Sequence, residues 1–131
     1  MELTLSEANG IIASAIAKAD AIGVQVSIAV CGRDGRLVAF SKMDGAGHMT
    51  ARRAIGKAIA SSISGKDSEI VPKDAITPGS ATVGGEGMAA FHGPGGLALM
   101  RDGTLIGAIG VHGEATPDQD VACATAGISA L

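Results

Sequence analysis

Gly95-Gly96-Leu97-Ala98-Leu99-Met100-Arg101-Asp102-Gly103-Thr104-Leu105-Ile106-Gly107-Ala108-Ile109-Gly110-Val111-His112-Gly113 holds two apolar runs that meet at an Asp-Gly pair. Asp-Gly between apolar runs is a hairpin signal, because the tight turn needs positive φ at its central residues. The second run ends in Gly110-Val111-His112-Gly113, which sets bare backbone beside an imidazole. Glycine weakens a strand interior, so Gly107, Gly110 and Gly113 predict a close approach of ligand, neighbouring subunit or the protein's own backbone. The strand end is therefore a candidate pocket wall.

Upstream of this hairpin the chain reads in order. Thr4 and Glu7 have capping-box spacing, Leu5, Ala8, Ile11, Ile12, Ala15, Ile16, Ala19 and Ile22 recur at helical intervals, and Gly23 is a stop, predicting a helix over 5–22. Val24, Val26, Ile28 and Val30 alternate, Asp34-Gly35 turns, and Leu37 to Lys42 returns, predicting a first hairpin. From about Met49 to Ile63 an apolar stripe of Ala51, Ala54, Ile55, Ala58, Ile59 and Ser62 runs to Gly65, predicting a second helix.

Residues 66–95 are broken by Pro72, Pro78, Pro94 and several glycines, which predicts a long loop. A short strand near Met88 to Phe91 would bring the sheet to about five antiparallel strands. Thr116 with Gln119 repeats the capping-box spacing, Pro117 suits a first helical position, and Val121, Ala124, Ile128 and Leu131 follow at helical intervals. Helix, hairpin, helix, hairpin, helix predicts a single α+β domain over 1–131, an antiparallel sheet with segregated helices.

Composition narrows the function classes. Apolar residues make up 47% of the 131 positions but aromatics only 2%, so the core must be built from Ala, Ile, Val, Leu and Met. Such a core is thin, and burial between copies of the chain is the expected remedy, which predicts a homo-oligomer. A net charge of −3, with no Trp or Tyr, argues against nucleic acid and anionic membranes as partners. No apolar run approaches the roughly 20 residues of a bilayer span, and Met1-Glu2-Leu3-Thr4 has no basic n-region, so a cytoplasmic protein is expected. Cys31 and Cys123 read as buried thiols outside any disulfide framework.

Several blocks together resemble a known family: Met43-Asp44-Gly45-Ala46, Lys57-Ala58, Pro94-Gly95-Gly96-Leu97, Ile106-Gly107-Ala108-Ile109-Gly110-Val111 and Asp118-Gln119-Asp120. In this order they look like the GlcG/HbpS heme-binding family, which is related to the C-terminal domain of PduO-type proteins. The resemblance spans essentially the whole chain. It implies a profilin-like fold with helices on both faces of the sheet, an oligomer up to an octamer, and binding of heme or a related tetrapyrrole. It also implies an accessory place in a small-molecule catabolic operon. Two departures stand out: His112 occupies a position where many relatives have Ser, and His92 precedes Gly93-Pro94.

Imidazoles are the natural ligands here for a heme iron, which needs only one or two axial donors. His48, following Asp44-Gly45 at the start of the second helix, is the first candidate metal ligand, with Thr50 beside it; a solvated histidine fits the same position. His112 suits a cleft or a subunit contact. Arg52, Arg53 and Lys57 are candidates for propionate contacts, Arg53 and Lys57 sharing a helix face, although charged helix faces are commonly just solvated. Gly95 and Gly110 join the candidate binding set with His48, Thr50, Arg53, Lys57 and His112.

An alternative is a small-molecule enzyme acting on a hydroxy acid or carbonyl compound. Asp44 with His48, or His112 with Glu114, would supply its acid–base pair. Gly84-Gly85-Glu86-Gly87 has the glycines of a phosphate loop without the following lysine, and reads better as a linker or lid.

Overall fold

The computed structural model describes residues 2–70, 90–91 and 93–131. Helix α1 (Leu5–Ile22) begins at a full capping box, in which Thr4 accepts from the Glu7 amide and Glu7 from the Thr4 amide. It stops at Gly23 in the left-handed region, where a side chain would be strained. Strands β1 (Val26–Gly32) and β2 (Leu37–Lys42) form the first hairpin. Helix α2 (Thr50–Ser64) follows, with Gly65 as its left-handed cap, and a 3-10 turn covers Ser68–Ile70. Strands β3 (Gly96–Arg101) and β4 (Thr104–Gly113) form the second hairpin around Asp102-Gly103. Helix α3 (Pro117–Ile128) starts at a second capping box, Thr116 with Gln119.

The sheet is antiparallel in the order β2-β1-β4-β3. Among the described residues it has four strands rather than about five. Of the strand expected near 88–91, Met88 and Ala89 lie outside the described residues, and Ala90 and Phe91 form none. The backbone there docks on a helix instead: the Phe91 amide donates to the Gly56 carbonyl of α2 at 3.0 Å.

Strand alternation divides the core into two layers. Val26, Ile28, Val30, Leu99, Ile109 and Val111 face α1 and α3 and bury Ile11, Ile12, Ala15 and Cys123 with them. Ala29 and Cys31 face the other way, against Ala54, Ile55, Ala58 and Ile59 of α2. Helices thus lie on both faces. Both cysteines are buried and unbridged. Among the described residues no helix is long and apolar enough to cross a membrane.

Candidate functional site

The α2 layer is set by what glycine permits. At Gly110 a Cβ would overlap the Ala54 carbonyl oxygen and lie 2.6 Å from the Ala58 amide nitrogen of α2. Helix and strand therefore approach to backbone contact, and Gly110 packs against the protein itself. The same close approach lays Lys57 of α2 along the end of β4.

Lys57 is 2% exposed. Its Nζ donates to the Val111 carbonyl at 2.9 Å and to Asp120 Oδ2 at 3.3 Å, and lies 2.8 Å from His112 Nδ1. Asp120 belongs to α3 in the opposite layer, so this side chain passes from one side of the sheet to the other just beyond the start of β3. Gly95 leaves the opening: a Cβ there would sit 2.5 Å from the Val111 carbonyl oxygen, 3.0 Å from Lys57 Nζ and 3.2 Å from the Asp120 Cβ. Asp120 Oδ1 in turn accepts from the Gly113 amide at 3.0 Å.

Burial sets the electrostatics of this group. It pulls the Lys57 ammonium down and pushes the Asp120 carboxyl up, while the attraction of each for the other opposes both shifts. Burial, then the positive charges of Lys57 and Arg53, push His112 down to about 4. His112 is therefore neutral at physiological pH.

From this buried group a line of contacts runs outward. The His112 ring meets Phe91 edge to face, with centroids 6.4 Å apart at 76°. The Arg53 guanidinium lies 5.5 Å from the Phe91 ring centre, within cation–π range. Beyond Phe91 an open, largely apolar hollow of about 200 Å³ is lined by Met49, Arg52, Arg53, Ala90 and Phe91. Met49 and Phe91 expose 40% and 37% of their surface there. An apolar surface bordered by two arginines suits a flat, hydrophobic anion.

The candidates read from sequence separate accordingly. Gly95, Lys57 and His112 converge, and Arg53 joins them through Phe91. Thr50 is fully buried; its hydroxyl contacts Ser27 Oγ at 2.8 Å and donates to the Gly47 carbonyl, tying α2 to β1. His48 is exposed in the turn before α2, one residue from Met49 of the hollow. The two acid–base pairs are not joined: Asp44 is exposed in its turn, Glu114 lies against Gly47, and His112 is engaged by Lys57. His92 and Gly84-Gly85-Glu86-Gly87 lie outside the described residues. Among the described residues, no three His, Cys, Asp or Glu side chains gather into a metal-ligating cluster.

Sequence reasoning missed Asp120 as the partner of Lys57 and Phe91 as the wall between Arg53 and His112. The signal available for Asp120 was its place in Asp118-Gln119-Asp120 just inside a capped helix, the first turn of which points at the end of β4.

Comparison with solved structures gives several close overlays. A double mutant of HbpS from Streptomyces reticuli is 27% identical, with a TM-score of 0.84, over 100% of this chain and 88% of that one. Protein ORFY of Klebsiella pneumoniae is 25% identical, with a TM-score of 0.80, over 99% and 91%. PduOC, solved as a complex with heme, is 24% identical with a TM-score of 0.83 over 100% and 96%, a likeness of fold. Comparison with curated protein sequences gives no significant match. Residues 3–129 match the family described as Haem degrading protein HbpS-like, and on that near-complete match the chain belongs to this family.

Proposed function

We propose that this protein binds heme or a related tetrapyrrole at the hollow beside the start of α2, as a cytoplasmic homo-oligomer. Membership of the HbpS-like family over residues 3–129 is the observation that carries the reading. The donor set fits the group. Met49, Ala90 and Phe91 offer an apolar surface for a planar ring, and Arg52 and Arg53 suit its carboxylates. His48, exposed beside Met49, is the candidate axial ligand. When bound, the heme would supply the redox-active iron and the tetrapyrrole ring. The chain's own part is to hold the ring and its charges, with Lys57 acting behind the surface because its buried ammonium already meets the Val111 carbonyl, Asp120 and His112.

Assembly is part of the same proposal. Apart from Met49 and Phe91 of the hollow, Leu5, Ile63, Ile70, Met100 and Leu131 are large apolar side chains left exposed by one copy, consistent with burial between subunits, up to an octamer. The profilin-like arrangement and an accessory place in a catabolic operon belong to this reading, and two buried, unbridged cysteines suit a reducing compartment.

Hemin titration followed by the Soret band tests the proposal. Wild type is expected to saturate, and His48→Ala to bind more weakly with a displaced Soret band. An unchanged spectrum and affinity in His48→Ala would remove His48 as ligand. Absence of saturable binding by wild type would overturn the heme reading.

A further inference from the structure

We propose that His112 meets the ligand as a hydrogen-bond donor, presenting Nε2–H to a carboxylate, and does not ligate iron. The assignment rests on the tetrapyrrole reading above and specifies how one residue of the site serves it.

The geometry fixes the tautomer. Lys57 Nζ lies 2.8 Å from His112 Nδ1, and an ammonium has three donors and no lone pair. Its other two protons go to the Val111 carbonyl and Asp120 Oδ2, leaving the third for Nδ1. Nδ1 must then be bare, and in a neutral ring the proton is on Nε2. The reverse arrangement, Nδ1–H donating to Asp120, lacks reach: Oδ2 is 3.7 Å away. A doubly protonated ring would set a cation against Lys57, with Arg53 also near.

Nε2 is accessible. The His112 side chain is 16% exposed, and among the described residues Ser61 Oγ alone is a buried side-chain polar atom without a hydrogen-bond partner. The ring cannot easily swing, since Phe91 packs against it on one side and Lys57 holds the other.

A histidine that ligates a metal through Nε2 ordinarily carries its proton on Nδ1, donated to a carbonyl or carboxylate. Here a cation takes the place of that acceptor, so the Nε2 lone pair needed for iron is occupied by a proton. What remains is a fixed N–H near the Arg53 charge, with Lys57 and Asp120 paired to each other behind it, and an N–H donor so placed favours an anionic oxygen. On heme the anionic oxygens are the propionate carboxylates.

Two measurements on the whole chain test this. Without ligand, long-range proton–nitrogen correlation spectra at pH 7 should show His112 with protonated Nε2 and bare Nδ1; the opposite tautomer would overturn the assignment. With ligand, hemin and metal-free protoporphyrin IX are compared with their dimethyl esters on wild type, His112→Ala and His112→Ser, folding being checked by circular dichroism. Wild type should prefer the free acids, and either variant should lose about tenfold of that preference, as expected for one hydrogen bond to a charged group. The Soret position of the hemin complex should not move. A displaced Soret band in a folded variant would make His112 an iron ligand and overturn the proposal, as would an unchanged ester preference. Failure of wild type to bind either free acid would remove the tetrapyrrole reading, and the assignment with it.

Discussion

The two faces of the sheet are built on different principles. The face toward α1 and α3 is filled by branched side chains, Val26, Ile28, Val30, Ile109 and Val111 meeting Ile11 and Ile12, and it is held by apolar burial. The face toward α2 is lined by Ala29, Ala54, Ala58 and Gly110, so that helix and strand touch backbone to backbone. The first arrangement tolerates small changes of shape. The second has little room, yet it holds the buried Ser27–Thr50 contact and sends Lys57 past the sheet to meet Asp120 of the opposite layer. The candidate residues Lys57 and His112 sit beside this tightest packing, and tight packing holds polar atoms in fixed geometry.

The sharpest way to break this contrast is to remove the buried cation. Lys57→Met leaves Asp120 buried with the Gly113 amide as its remaining hydrogen bond, and should cost about 3–5 kcal/mol in urea unfolding. Lys57→Met with Asp120→Asn removes both charges and keeps the acceptor for Gly113, and should recover more than half of that loss. A double variant as unstable as the single one would show that the pair's charges are not what matters.

Acid should act on the same face. His112 is pushed down to about 4 in the folded chain, from 6.5 when unfolded, so the unfolded chain binds the extra proton first as pH falls. Stability from this residue is fully present above pH 6.5 and is lost progressively toward about 4, by about 3 kcal/mol at most. Asp120, raised by burial, works in the opposite sense by taking up a proton in the folded state. The difference between wild type and His112→Ser isolates the histidine: their stabilities, measured from pH 7 to 4, should converge as pH falls. Parallel curves would contradict the burial of a neutral imidazole.

A paired substitution compares the faces directly. Gly110→Val forces a branched side chain into the backbone of Ala54 and Ala58 and should cost about 3 kcal/mol or more, whereas Ile28→Val on the opposite face should cost about 1 kcal/mol. Equal losses would remove the distinction between the faces.

Much of the fold is legible in the amino-acid sequence, because its punctuation is local. Thr4 with Glu7, Thr116 with Gln119, Gly23, Gly65 and Asp102-Gly103 each act within a few residues, and the elements begin and end beside them. The site is legible only in parts. Lys57 and His112 stand in recognisable blocks, but the contact between Lys57 and Asp120 joins positions 63 apart, and no periodicity along the chain records it. His48 draws notice through its place at a helix start, a local cue, and the structure leaves it exposed. The role of His112 depends on which of its nitrogens faces Lys57, which is a matter of three-dimensional register. The expectation of a further strand fails for the same reason: whether Phe91 pairs with a strand or with the Gly56 carbonyl is settled by tertiary contact.

The passage of Lys57 beyond the start of β3 has a consequence for how the molecule breathes. Helices on opposite sides of a sheet ordinarily open independently, each protected from amide hydrogen exchange by its own packing. Here α2 cannot lift away without withdrawing an ammonium from the first turn of α3, and α3 cannot leave without stranding that ammonium. Their slowest-exchanging amides should therefore share one opening free energy, and the residues around the hollow would keep their spacing while the peripheral edge strand β2 frays.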